Sequence, residues 1–480
     1  MAYTEIRNFQ GGLADSDYKG ASGSFGVDSF GLDIHDASGL LRANWKLTKS
    51  SGSTVTGLVL FTVAASDGNT YFADDAGKIY KRTGAGSWSS VYDAGERICG
   101  FIEYNGYFIW ATDDTLFRMA IAGDWVSGIT QYNSSSETWT TSGTTWASPA
   151  IDTSWHVMKQ LGTALYVGAG QYITIVDSAF AVSLLGNGLD LPPGWKVIDI
   201  EPWNDQLLIG AYSTTQDQSA IFIWDGYSDS WSAQIPVPEP KVYSIVSDGQ
   251  IAYIKAGQRG NIYEFLGNAV RLVKQIPGSY TSSATEIVNP DAMTLVNGRL
   301  LMGVSNATGN PCKQGVYQYG SPNINYPRVL DLSYILSTGN KTSVSIGSIK
   351  VDNGTIFVSW NDGANYGVDV VDYTARFDNA EYITTVIGGN EPDATSRRIA
   401  VNFKPLPASC SIDIYYRING ATSWTQLGSQ VTTANKTNYI SSKPIKFRTI
   451  QFRLVLGTNS TNTPEVNSIV IEYERPGITS

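Results

Sequence analysis

Charged residues are scarce in this chain: Lys, Arg, Asp and Glu make up 16% of 480 residues, against about 25% in ordinary soluble proteins. Histidine is rarer still. His35 and His156 are the only two, more than a hundred positions apart, and no Cys-x-x-Cys pair accompanies them, so the common metal-binding patterns are absent. Each is expected to be a surface or hydrogen-bonded histidine. The three cysteines, Cys99, Cys312 and Cys410, are odd in number and far apart. They read as small buried apolar residues, not as a disulfide framework. No stretch reaches the roughly 18 apolar residues that span a bilayer, so no membrane insertion is expected. The opening "MAYTEIRNFQGG" has neither the basic region nor the apolar core of a secretory signal. Synthesis in a cytoplasm is expected, and the sequons at Asn306, Asn340 and Asn459 are then coincidental. A net charge of −10 disfavours DNA or an acidic membrane as a tight partner. No Walker sequence and no Gly-x-Ser-x-Gly elbow occurs, and "GAGQYI" at Gly168–Ile173 lacks the third glycine of a dinucleotide loop. No cofactor is expected.

What is present points to β-structure. Glycine is abundant at 48 residues and aromatics make up 12%, while runs of helix-forming residues are nearly missing. One hairpin is written again and again: "SDGNTYFA" at Ser66–Ala73, "YNGYFIWA" at Tyr104–Ala111, "LGTALYVG" at Leu161–Gly168 and "WNDQLLIG" at Trp203–Gly210. "SDGQIAYI" at Ser247–Ile254, "VNGRLLMG" at Val296–Gly303 and "DNGTIFVSW" at Asp352–Trp360 continue it. The interval is roughly 38 to 57 residues, in the range of propeller blades with variable loops.

Each copy has an apolar strand, a turn rich in Asn-Gly, Asp-Gly or Asn-Asp that tolerates positive φ, and a second strand ending in a small residue. A third strand with a central aromatic follows, as in "KIYKR", "TLFRM", "AIFIWDG", "NIYEF" and "GVYQY". A fourth, more polar strand often comes after a Trp, as in "GSWSSVY", "GDWVSG" and "DSWSAQ". Four antiparallel strands make one blade, and a blade cannot bury both faces unless others flank it. The expected fold is therefore all-β: a propeller of about seven blades over residues 51–388. Tyr132–Trp155 reads as an insertion between the second and third units. Its Trp139, Trp146 and Trp155 lie among Ser and Thr, either packed in a further hairpin or offered to a sugar or partner.

The ends differ. Residues 1–50 are rich in Gly, Ser and Asp with isolated aromatics, and read as an extended arm draped over the fold or a neighbouring subunit. Residues 389–480 contain "IDIYYRINGATSWTQLG", "KFRTIQFRLVLG" and "VNSIVIEYE", strong strands around an Asn-Gly turn that suggest a compact β-sandwich. This tail carries 10 Lys/Arg against 6 Asp/Glu. Within it Lys443, Lys446, Arg448 and Arg453 form a basic cluster, which alternating strand geometry could bring to one face as an interface with an acidic neighbour.

Phe9, Gly11, Gly12 and Leu13, followed by the "GLLRANWKLT" strand, resemble the opening of many bacteriophage virion proteins. The C-terminal strands are similar to those of phage tail and tail-nozzle components. The resemblance implies a propeller joined to small β-domains and assembled into rings around a DNA channel. It also implies that the N-terminal motif contacts neighbouring copies or other tail proteins, with the chain located in the virion tail.

Chemistry has little to build on. Asp74, Asp75, Asp113 and Asp114 are the candidate acids for a glycosidase, which needs paired carboxylates, but they lie in loops where turn roles suffice. A carbohydrate-binding receptor protein that stacks host surface glycans on exposed Trp is the stronger rival. The preferred expectation is a non-enzymatic virion structural protein of the tail or tail nozzle. DNA would pass through its ring without specific binding, because a negative wall does not hold phosphates.

Overall fold

The computed structural model describes residues 2–475 apart from 8, 15–25, 36–38, 142–154, 184–186, 258–259, 277–285, 307–313, 323–326, 340–343 and 389–392. The chain divides into two compact units. One is formed by Lys49–Gln314 and Asn340–Val370, the other by Met1–Thr48, Gly315–Gly339 and Val371–Ser480.

The first unit is a closed ring. Seven strands lie innermost: Val59–Ala64, Gly100–Tyr104, Met158–Leu161, Trp195–Trp203, Val242–Ser247, Met293–Val296 and Ser345–Asp352. Each packs beside the next, and the last beside the first. Each also turns back into a second, antiparallel strand through one of the seven hairpins identified in the sequence. Asn105, Asn204, Asp205, Asn297 and Asn353 all have φ between 45° and 58° in these turns, the left-handed region that Asn and Asp tolerate and most residues avoid. The second strands are the most deeply buried; Thr70–Asp74 and Ala252–Ala256 have no exposed residue. Both of their faces lie against neighbouring sheets, hence their unbroken apolar runs. The fold is a seven-bladed β-propeller.

The fourth strands Thr130–Asn133 and Ala233–Val237 follow Trp125 and Trp231, as the sequence suggests, and the tryptophans themselves lie outside the strands. They fold back as packing groups, Trp125 within 5.9 Å of Trp110 and Trp231 within 5.3 Å of Phe222. The outer strand of the seventh sheet is Trp45–Lys49, from ahead of the first sheet. Beyond it Ser50 donates its N–H to Val368 (2.9 Å), and Val368 donates back to Ser51 Oγ (3.0 Å). The beginning and end of the ring are thus sewn together by hydrogen bonds.

The second unit is a β-sandwich. One sheet runs Ala2–Arg7, Val466–Glu474, Ala394–Phe403, Asn438–Ser441; the other runs Gly26–Phe30, Ala380–Thr384, Thr449–Gly457, Ser411–Ile418, Thr425–Gln426. Their alternating inward residues, among them Ile399, Val401, Ile412, Phe452, Leu454 and Ile471, form one core. Here the expected boundaries of 1–50 and 389–480 give way. Ala2–Arg7 pairs over its whole length with Val466–Glu474, and Gly26–Phe30 pairs with Ala380–Thr384. Ala2–Arg7 and Gly26–Phe30 are edge strands of the sandwich, drawn in because each sheet offers an unpaired edge.

Candidate functional site

The centre of the ring holds a chain of acidic contacts. An innermost strand of a blade has one edge without a strand partner, so its N–H groups need another acceptor. Carboxylates of adjacent sheets supply it. Asp291 Oδ2, just ahead of the sixth inner strand, accepts the N–H of Thr62 in the first (2.9 Å) and the hydroxyl of Ser348 in the seventh (2.6 Å). Asp199 and Glu201 in the fourth accept the N–H groups of Ile245 (2.7 Å) and Ser247 (3.0 Å) in the fifth. Glu103 in the second accepts that of Ser66 after the first (2.7 Å). Lys159, in the third, donates to Glu201 at 2.7 Å and keeps 36% of its side-chain surface accessible to solvent.

The charges balance unevenly. Burial pushes the Asp199 carboxyl up to about 8, against the pull of Lys159 and its backbone donors. Burial likewise raises Asp291, against Lys350, Ser348 and Lys159. None of these residues was singled out from the sequence. The available signal was a carboxylate alternating with isoleucine in "VIDIE" at Val197–Glu201, inside the largely apolar strand Trp195–Trp203.

Trp155 was nominated for a glycan or partner face. The structure instead packs it, half-buried, against three hydrophobic clusters built from the first to the fifth sheets. Its ring meets Phe61 edge-on at 5.9 Å, and the Arg97 guanidinium lies over it at 4.6 Å. A side chain touching that many sheets of a ring lies near its axis. Trp139 is also engaged: its indole N–H donates to Phe180 (2.8 Å) and Arg118 covers its face at 4.5 Å. It sits on Thr138–Thr140, which extends the second sheet as a fifth strand. Trp146 lies outside the described residues.

Cys99, Asp113 and His156 come together in a way that resembles a nucleophile with a base and an acid. Cys99 Sγ donates to Asp113 Oδ1 at 3.4 Å, and His156 Nε2 lies 3.1 Å from the Asp113 carbonyl oxygen. The chemistry does not follow the geometry. Burial pushes the Cys99 thiol up to about 12 and holds the His156 imidazole below its ordinary value. His156 Nδ1 faces the Gly168 carbonyl at 2.8 Å, and the backbone N–H of His156 donates to the Cys99 carbonyl at 2.8 Å. These contacts join the second and third sheets. His35 is likewise buried, with Nε2 3.3 Å from the Val329 carbonyl.

The other nominated residues have internal partners. Asp74 accepts the N–H groups of Ala76 (3.0 Å) and Lys78 (2.7 Å) and the Tyr80 hydroxyl (2.8 Å), shaping a turn. Asp75 accepts the N–H of Leu58 (2.8 Å), and Asp114 accepts the hydroxyl of its neighbour Thr115 (2.9 Å). Phe9, expected at a subunit contact, is 1% exposed and meets Tyr382 edge-on at 5.2 Å inside the sandwich unit. Gly11, Gly12 and Leu13 are buried too. Gly12 has φ +69°, and a Cβ there would come within 2.6 Å of the Leu330 carbonyl oxygen. In the basic cluster Lys446 and Arg448 both bind Asp393, at 3.1 and 3.0 Å, and Arg453 binds Glu381 at 2.8 Å. Lys443 stands over the Tyr416 ring at 5.6 Å. Two carboxylates of its own chain thus balance half of the cluster's charge.

Among the described residues no group of three His, Cys, Asp or Glu could hold a metal ion, and no helix is long and apolar enough to cross a membrane. No family model matches the sequence, and no curated protein matches it. Solved structures resemble the chain. The extracellular domain of the putative hybrid two component system BT4673 from B. thetaiotaomicron is 14% identical, with a TM-score of 0.48 over 84% of this chain and 47% of that one. The chain thus spans about half the length of that protein. The structure of YCF48 bound to D1 peptide is 10% identical, with a TM-score of 0.46 over 68% of this chain and 94% of that one. The computationally designed Ika8 protein is 12% identical, with a TM-score of 0.41 over 68% of this chain and 99% of that one.

Proposed function

We propose that this chain is a non-enzymatic structural component of a bacteriophage tail or tail nozzle, several copies of which surround the path of DNA. The observation that carries the reading is the partition of charge. The propeller unit has 17 Lys/Arg against 27 Asp/Glu, whereas the sandwich unit has 16 against 16. The whole excess of −10 therefore belongs to the propeller, and a body of that sign repels a passing polyanion. Several of the carboxylates near the axis have a structural use, as acceptors between blades, which also favours a scaffold over acid–base chemistry. The DNA path in this reading runs between the copies that surround it.

The test is to image virions at a resolution that recognises a seven-bladed ring, together with light scattering of the purified chain. Symmetry-related copies around the tail axis are the expected result. A chain that stays monomeric and lies off the axis, or is absent from virions, would overturn the assignment.

A further inference from the structure

At one end of the fourth sheet is a groove of about 470 Å³, within the roughly 300–1,000 Å³ range of small-molecule sites. It lies where Trp195 opens the inner strand, where Asp217 and Gln218 precede the third strand, and where Gln234, Pro236 and Pro238 follow along the fourth. Trp195 is half-buried and held edge-on by Phe222, with ring centroids 5.1 Å apart at 88°, so its orientation is set by packing. Asp217, Gln218 and Gln234 are exposed. Among the described residues, neither their side chains nor the Trp195 indole N–H makes a hydrogen bond within the chain.

We propose that this groove binds a short neutral oligosaccharide. An aromatic ring beside amides and two carboxylates, Asp217 and a Glu239 that already accepts the Tyr263 hydroxyl, suits a pyranose, whose C–H face packs on the indole while its hydroxyls donate to the carboxylates and pair with amides that both donate and accept. No Lys or Arg lines the groove, so it offers nothing to the carboxylate of an acidic sugar or to a phosphate. A peptide adding as a further strand is disfavoured by the same residues. Ala233–Val237 is the edge strand of its sheet, and Pro236 and Pro238 have no N–H to give a new neighbour. The groove's lining includes neither Trp139 nor Trp155, and the proposal does not depend on the tail reading: either can fail while the other stands.

The test is a glycan array probed with the full-length chain, followed by titration of the neutral hits while the Trp195 indole N–H resonance is observed. The expected result is binding of at least one neutral glycan, with that resonance shifted. Trp195→Ala should weaken affinity by at least about tenfold, the equivalent of ~1.4 kcal/mol. Because the Trp195 ring also packs against the core, Gln218→Ala with Gln234→Ala serves as a second variant and should weaken binding without changing the circular dichroism spectrum. The proposal is overturned if only acidic glycans or none bind, or if binding survives both variants.

Discussion

Asp291 and Thr62 are 229 positions apart in the chain, yet the carboxylate of one accepts the backbone N–H of the other at 2.9 Å. The same carboxylate takes the hydroxyl of Ser348, so one acidic side chain joins the first, sixth and seventh sheets. The contact answers a problem inherent in a closed ring of sheets. The strands nearest the axis have polar backbone edges and no room for another strand. A carboxylate is a compact acceptor-only group, able to serve two donors at once. Asp199 and Glu201 serve the fifth sheet in the same manner. Part of the acidic content of the propeller therefore has a structural use.

Replacing Asp291 separates acceptance from charge. Asp291→Ala leaves the Thr62 N–H and the Ser348 hydroxyl without this acceptor, at a cost of about 2–3 kcal/mol for the pair. Asp291→Asn keeps one oxygen for them and removes a buried charge, so it should stay within ~1 kcal/mol of the parent. Calorimetric unfolding distinguishes the two. Equal losses in both variants would mean that the charge matters, not the bonds.

Phe9→Ala tests whether the N-terminal motif belongs to the interior. A phenylalanine 1% exposed and packed on Tyr382 should cost about 3–5 kcal/mol when truncated. Tyr3, 71% exposed on the neighbouring edge strand, should cost under about 0.5 kcal/mol as alanine. Denaturant titration of the monomeric chain gives both values. An unchanged midpoint for Phe9→Ala, with a change in assembly instead, would restore the subunit-contact reading.

The ring was legible because its information is local. Asn105-Gly106, Asn297-Gly298 and Asn353-Gly354 each require a left-handed turn between two apolar stretches, and the structure places a hairpin at each. What stayed hidden depends on distant pairing. Nothing near Ala2–Arg7 says that its partner is Val466–Glu474, and nothing in Trp45–Lys49 says that it ends the seventh sheet. A Gly- and Ser-rich segment reads as a loose arm until the vacant sheet edge that recruits it is known. The tryptophans were open between two readings for a related reason. Polar neighbours in sequence fitted either exposure or a further hairpin, and the contacts are packed ones: Arg118 and Phe180 for Trp139, Arg97 and Phe61 for Trp155.

Cys99 should be inert in the native protein. Its thiol, fully buried and pushed up to about 12, supplies almost no thiolate at pH 8, and the thiolate is the reactive form. Iodoacetamide at pH 8 is expected to leave the Cys99 peptide unmodified until guanidinium is added, as read by mass spectrometry. Rapid alkylation of that peptide in the folded chain would reopen the comparison with a catalytic cysteine.

The sandwich unit should gain stability on mild acidification because of Asp331. Burial pushes this carboxyl up to about 7 from an ordinary value of 3.8, with Asp33 adding a like charge and Ser333 as a weak donor at 3.3 Å. The folded state thus holds the proton more tightly than the unfolded chain. The stabilisation is complete below about pH 4, fades as pH rises through about 7, and is absent beyond it, with a ceiling of ~4 kcal/mol for such a displacement. Asp199 and Asp291 act with the same sign in the propeller unit, so the effect has to be read locally. Hydrogen exchange of peptides from the sandwich core, corrected for intrinsic rates, should show greater protection at pH 5 than at pH 8. Asp331→Asn should remove most of that difference. If the substitution leaves it intact, another group is responsible and the buried carboxyl is not the source.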